Sequence, residues 1–271
     1  MKAFVVGHPI AHSRSPLIHG HWLAEHGIAG SYERIDVAPA AFESFFRGFP
    51  RDFRGGNVTI PHKEAAFRLA DRVTDRARTL RSVNTLWVED GRVHGDSTDG
   101  PGFAASLDEG APGWSDRPGT ALVLGAGGAA RAIVGALVER GWRAVVANRT
   151  PARAQDLAGP AVEACGWEAV PARLAGADLL VNTTSLGMAG QPPLSIDLAP
   201  LPGHAVVVDI VYVPLETPLL AAARARGLRA VDGLGMLLHQ AVPGFARWFG
   251  VTPKVTPALR DILVADIEGR R

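Results

Sequence analysis

The sequence predicts an α/β protein of two domains, on three observations. Short apolar strand runs alternate with helical segments through the first hundred residues, as in a largely parallel sheet. The same alternation restarts after a Gly-, Pro-, Asp- and Ser-rich connection at 106–119. A glycine cluster, Gly125-Ala126-Gly127-Gly128-Ala129-Ala130, stands between a strand and a helix in the second half.

Residues 3–6 read as a buried strand followed by a polar loop at 7–14. Ser15 has the chemistry of an N-cap, with Pro16 at the first helical position and Gly27 as the C-terminal stop. Residues 31–37 alternate as a strand, 39–47 suit a helix, 56–59 form another short strand, and Pro61 opens a helix to Leu69. Segments 83–88 and 92–96, joined across Asp90-Gly91, read as a β-hairpin. In the second half the expected order is strand 120–124, helix 128–140, Gly141 as stop and strand 143–147. Strands at 178–182 and 205–211, helix 217–226 and strand 228–231 follow. Helices at 235–249 and 257–267 finish the chain.

Composition excludes several classes. The 271 residues carry 28 Lys+Arg against 27 Asp+Glu, a net charge of +1, which argues against a nucleic-acid partner. The longest apolar stretches are cut by Arg131, Asp209 and Pro214, short of the ~20 residues of a membrane helix. The first residues lack a secretory run, and Cys165 alone allows neither an internal disulfide nor a cysteine metal cluster. A cytoplasmic protein is expected. His19 and His26 can share a helix face, but no Asp or Cys stands nearby at ligand spacing, so no metal is expected. The lysines are Lys2, Lys63 and Lys254 only, so positive charge is otherwise written as arginine.

The glycine cluster fits the dinucleotide fingerprint of a Rossmann-type domain. Gly125 permits a sharp turn after the strand, Gly127 lets backbone N–H groups approach a pyrophosphate, Gly128 and Ala129 begin the helix whose N-terminus adds partial positive charge, and Ala130 takes the last place of the pattern. About 20 residues on, the next strand ends in Asn148-Arg149-Thr150. An NAD site would place an acid there; a cation and a hydroxyl suit a 2′-phosphate, so NADP is the expected cofactor.

In the first half, Ser13-Arg14-Ser15-Pro16 puts two hydroxyls at a helix start, which reads either as a carboxylate site or as plain capping. Asn57 and Thr59 share one side of a short strand by the two-residue alternation. Lys63 then falls in the first turn of a helix, where the dipole disfavours a cation, so it is either a chemical group or a surface lysine. The hairpin brings its ends together, Asn84 towards Asp99. Thr98-Asp99-Gly100 marks the junction between domains or an ordinary turn.

Taken together, these segments resemble the shikimate dehydrogenase family over nearly the whole chain. The carriers are Gly7-His8-Pro9-Ile10, Ser13-Arg14-Ser15-Pro16, residues 57–63, Val83-Asn84-Thr85, Thr98-Asp99-Gly100, the glycine cluster, Asn148-Arg149-Thr150, residues 182–188, Asp209-Ile210-Val211-Tyr212 and residues 232–241. The resemblance implies an NADP-linked oxidoreductase that reversibly reduces 3-dehydroshikimate to shikimate in aromatic amino-acid biosynthesis. It implies Lys63 and Asp99 as the catalytic pair, and Ser13, Ser15, Asn57, Thr59, Asn84, Tyr212 and Gln240 as the substrate pocket. Thr183 and Gly233 would join the cofactor residues. Implied too are a substrate domain at 1–100 completed by helices 236–271, a Rossmann-type domain at 101–235, and an active site in the cleft between domains. The expected partner is a small carboxylate, and the chain would act as a monomer or homodimer.

The sequence departs from the family pattern at Gly95-Asp96-Ser97, at Arg81-Ser82 and at Gly20, all on the substrate side. These departures keep a sister activity open, on quinate, an aminoshikimate or another hydroxylated cyclohexane or cyclohexene carboxylate. A cofactor-binding regulatory protein without catalysis is the reading from another class; Lys63 and Asp99 argue against it.

Overall fold

In the computed structural model, which describes residues 1–269, each half of the sequence builds a six-stranded sheet. One unit comprises Met1–Thr98 with Gln240–Asp266; the other contains Asp99–His239. In chain order the first holds β1 (Lys2–Gly7), α1 (Ser15–Glu25), β2 (Ser31–Asp36), α2 (Phe42–Gly48), β3 (Gly55–Val58), α3 (Lys63–Leu69), β4 (Arg72–Val73), α4 (Asp75–Leu80), β5 (Thr85–Glu89) and β6 (Arg92–Asp96). The second holds α5 (Asp99–Gly110), β7 (Thr120–Leu124), α6 (Gly128–Glu139), β8 (Arg143–Asn148), α7 (Pro151–Gln155), β9 (Val162–Gly166), α8 (Val170–Leu174), β10 (Leu179–Asn182), β11 (Val206–Asp209), α9 (Pro218–Ala225), β12 (Arg229–Val231) and α10 (Gly233–His239). The last helices are α11 (Val242–Phe249) and α12 (Pro257–Ile267).

The first sheet runs β2-β1-β3-β5-β6-β4. β1 pairs parallel with β2 and β3, while β5 is antiparallel to both β3 and β6, the latter as the expected hairpin. Phe4 of β1 centres the core, with Phe45, Phe49 and Phe53 edge-on to its ring at 5.2–5.3 Å. Gly56 lets this ring come close against the neighbouring strand. A Cβ there would stand 2.4 Å from the Phe4 ring and 2.5 Å from its carbonyl oxygen. Gly56→Ala is therefore expected to lower stability by about 2–3 kcal/mol, as overpacking does, read from urea-unfolding midpoints. The returning tail is fixed by polar tips on apolar rings. The Trp248 indole donates to the Leu86 carbonyl (2.7 Å), and that of Trp22 to the Lys254 carbonyl (3.0 Å).

The second sheet is wholly parallel, in the order β12-β11-β10-β7-β8-β9. Both faces are covered, so alternate residues of β7 enter different cores: Ala121 and Val123 one, Leu122 and Leu124 the other. The chain crosses from β8 and β9 on one side of β7 to β10, β11 and β12 on the other. That reversal is the topological switch point at which doubly wound sheets bind ligands.

Three expectations are corrected. The helix expected at 235–249 is broken into α10 and α11, because Pro243 at the start of α11 supplies no N–H to a preceding turn. Its first part packs on α5, where a Cβ on Gly235 would lie 2.2 Å from the Ser106 hydroxyl, so residues 236–239 belong with the second unit. The connection expected from 106 begins only after Gly110, since α5 tolerates Pro101 in its first turn. Among the described residues, no helix is long and apolar enough to cross a membrane.

Candidate functional site

The glycine cluster follows β7 as the fingerprint requires. Gly125 has φ +104°, and a Cβ there would stand 2.6 Å from the Thr183 hydroxyl, so only glycine fits. Gly127 and Gly128 are exposed, with no protein atom within 4 Å of where a Cβ would be. No side chain caps the N-terminus of α6. This open backbone at the start of a 12-residue helix is the cradle a pyrophosphate needs. Ala126 and Ala129 are half-buried beside it, and Ala130 is buried in the core. At the end of β8 Asn148 donates to the Thr150 carbonyl (2.9 Å), shaping the turn that leaves Arg149 and Thr150 exposed. Thr183 donates its hydroxyl to the Leu124 carbonyl (2.7 Å), and Gly233 opens α10 directly beneath the Ile210 carbonyl.

In the first unit three of the expected substrate residues, Asn57, Asn84 and Gln240, meet through a buried polar network. The Tyr32 hydroxyl donates to Asn57 Oδ1 (2.6 Å), and Asn57 Nδ2 donates to the Asn84 carbonyl and the Thr85 hydroxyl, each at 3.2 Å. The Asn84 Oδ1 atom accepts from the Thr98 backbone N–H (2.7 Å) and from the Thr85 hydroxyl (3.1 Å). Gln240 accepts from Asn84 Nδ2 (3.4 Å) and, on its carbonyl, from the Thr98 hydroxyl (2.9 Å). Thr59 is half-buried against Gly7, two residues beyond Asn57. Lys63 is the half-buried first residue of α3, and its carbonyl accepts from Val83 N–H (3.1 Å), which ties the helix start to the residue before Asn84. Asp99 directly follows Thr98 as the first residue of α5 and is buried. Tyr212 is half-buried in the loop after β11.

Ser15 is not the cap. It is the first residue of α1, and its own N–H reaches the Ser13 hydroxyl oxygen at 3.4 Å, while Arg14 at the cap position does not cap the helix with its side chain and donates to Asp266 instead (2.8 Å). The two hydroxyls lie 3.3 Å apart, with Ser15 buried and Ser13 half-buried.

Tyr32, Thr85, Thr98 and His19 were not among the expected residues. Thr85 and Thr98 stand within the quoted motifs, and Tyr32 has the inward phase of an alternating strand. His19 stacks on Tyr32, ring centroids 3.9 Å apart, with Trp22 edge-on and Phe245 beyond. Burial lowers its pKa to about 3, and neither ring nitrogen has a hydrogen-bond partner among the described residues. Asn57 lies close enough to favour the charged form slightly, but not in bonding geometry. In the second unit, burial raises the pKa of Asp209, against the pull of hydrogen bonds from Thr217, Val211 and Asn182.

Family models match three stretches: residues 5–86 to the shikimate dehydrogenase substrate binding domain, 115–189 to shikimate/quinate 5-dehydrogenase, and 233–260 to the shikimate 5′-dehydrogenase C-terminal domain. A relative from Methylobacterium radiotolerans, described as shikimate dehydrogenase (NADP(+)), is 68% identical, covering 99% of this chain and 98% of its own. The chain belongs to the shikimate dehydrogenase family. A second such relative, from Methylocella silvestris, is 62% identical over 98% of this chain and 97% of its own. Solved structures of similar fold include shikimate 5-dehydrogenase from Thermus thermophilus in complex with NADP(H) and shikimate, at TM-score 0.89 and 38% identity, covering 98% of this chain and 99% of that one. Quinate dehydrogenase from Corynebacterium glutamicum in complex with NAD gives TM-score 0.91 at 32% identity, with the same coverage. The two-domain α/β architecture with one Rossmann-like parallel sheet is thus the architecture of the shikimate dehydrogenase family.

Proposed function

We propose that the chain is an NADP-dependent oxidoreductase acting on a CH–OH group, which reversibly reduces 3-dehydroshikimate to shikimate in aromatic amino-acid biosynthesis. The observation that carries this reading is its 68% identity across 99% of the chain to a shikimate dehydrogenase (NADP(+)). The residues present fit the cofactor: the uncapped α6 N-terminus with Gly127 and Gly128 would hold the pyrophosphate, and Arg149 with Thr150 a 2′-phosphate. When bound, NADPH supplies the hydride that reduces the ketone.

The rest falls to the protein. Ser13 and Ser15 bind the substrate carboxylate, while Asn57, Thr59, Asn84, Tyr212 and Gln240 orient its ring hydroxyls. The network through Tyr32, Thr85 and Thr98 holds those amides in one rotamer, so little reorganisation accompanies binding. Lys63 stabilises and protonates the oxygen on which negative charge develops, and Asp99 orients the ammonium. The protein works in the cytoplasm as a monomer or homodimer.

A sister activity on quinate is the second reading, favoured by the backbone likeness to the quinate dehydrogenase and by the departures at Gly20, Arg81 and Ser97. Steady-state kinetics with shikimate and quinate, each with NADP and NAD, separate the two; the expected preference is shikimate with NADP, and a preference for quinate would overturn the first reading. Arg149→Ala is expected to weaken NADP by about 10–100-fold, the worth of a charge-assisted contact, and to leave NAD nearly unchanged. Equal losses for both would remove Arg149 from 2′-phosphate recognition.

A further inference from the structure

Asp209 is fully buried at the C-terminal end of β11, and the chemistry above gives it no task. Its Oδ1 accepts from Asn182 Nδ2 (2.9 Å) and Val211 N–H (3.0 Å), and its Oδ2 accepts from the Thr217 hydroxyl (2.7 Å). Asn182 passes the constraint on. Its Nδ2 also donates to the Leu186 carbonyl (3.1 Å), and its Oδ1 accepts from Thr184 N–H (3.0 Å) and hydroxyl (2.7 Å). One carboxylate therefore fastens two loops, that after β10 carrying Thr183 and that after β11 carrying Tyr212. These loops are pressed against glycines of the expected cofactor set. Cβ atoms would meet the Thr183 hydroxyl at 2.6 Å from Gly125 and the Ile210 carbonyl at 2.1 Å from Gly233. An apolar side chain could fill the same space without the cost of burying a charge, but it could not hold three donors from two connections.

We propose that Asp209 is a positioning residue that sets the loops receiving the nicotinamide half of the cofactor, without contributing to the adenosine half. This rests on the reading that the chain binds NADP. The separation of the two halves follows from sheet order: Arg149 leaves β8 on one side of β7, whereas both loops held by Asp209 leave β10 and β11 on the other.

The test compares equilibrium binding of NADPH and of 2′,5′-ADP, which carries only the adenosine end, to the full chain by calorimetry. For Asp209→Ala the NADPH dissociation constant is expected to rise on the order of tenfold, as for a modest misplacement of a binding group, with 2′,5′-ADP unchanged. Equal weakening of both ligands, or of neither, would overturn the proposal. Wild type that binds neither ligand would instead overturn the NADP reading. Should Asp209→Ala not fold, Thr217→Val, which removes one donor and preserves shape, decides in its place. It is expected to show the same split at a smaller size, roughly threefold, and identical affinities for wild type and variant would refute Asp209's role.

Discussion

Lys63→Met is expected to reduce kcat by about 10²–10⁴, the usual worth of a positioned acid–base group, with the KM for NADPH little changed. Ketone reduction places negative charge on an oxygen that must then be protonated, and an ammonium does both. Lys63 stands at the start of α3, where the helix dipole disfavours a cation, so the position is not one that helix stability would select. It is one of only three lysines in a chain that otherwise uses arginine. Lys63→Arg separates charge from proton transfer, because a guanidinium keeps the charge but does not give up its proton. If transfer is required, Lys63→Arg is as slow as Lys63→Met by steady-state NADPH oxidation. Near-normal turnover in Lys63→Arg would leave Lys63 an electrostatic role only.

Local pattern reached most of the architecture, because both sheets obey it. The strand–glycine–helix signature at 120–140 and the hairpin across Asp90-Gly91 are set by residues close in sequence, and both formed as expected. Most of the elements that escaped are short or lie at edges; the 12-residue α5 is the exception. β9 is an edge strand laid against β8 and is partly exposed, so its residues lack the apolar run of a central strand. In α5 the run Gly100-Pro101-Gly102 reads locally as a turn, yet Gly100 lets the helix approach Ala132 of α6, where a Cβ would meet the carbonyl at 2.7 Å. The polar network was legible only as separate motifs. Whether Asn84 bonds to Thr98 or to solvent is decided by tertiary contacts 14 residues away, and its bond to Gln240 by contacts 156 away. His19 is the clearest case: its sequence neighbours say nothing of its surroundings, whereas in the fold it is a ring buried against Tyr32, Trp22 and Phe245.

That ring makes acid stability the second large effect expected. The folded-state pKa of about 3 lies well below the ordinary value of 6.5, so between these values the unfolded chain takes up a proton that the folded chain refuses. Above pH 6.5 the imidazole is neutral in both states and costs nothing through linkage. As pH falls below that, stability drops by roughly 1.4 kcal/mol per unit, about 2 kcal/mol by pH 5, and the loss levels off only near the folded pKa. Asp36 and Asp178, whose carboxylates are held below their ordinary range with help from His8 and His204, add their own acid sensitivity at lower pH. A difference measurement removes them. His19→Phe keeps a flat ring against Tyr32, Trp22 and Phe245 and deletes two buried nitrogens without partners, so it should be more stable than wild type by about 1–3 kcal/mol at pH 7. That advantage should widen steadily from pH 6.5 towards pH 4 in urea-unfolding midpoints. A constant difference across this range would mean that His19 is protonated in the folded protein as readily as in the unfolded chain, through a partner that the packing around its ring does not reveal.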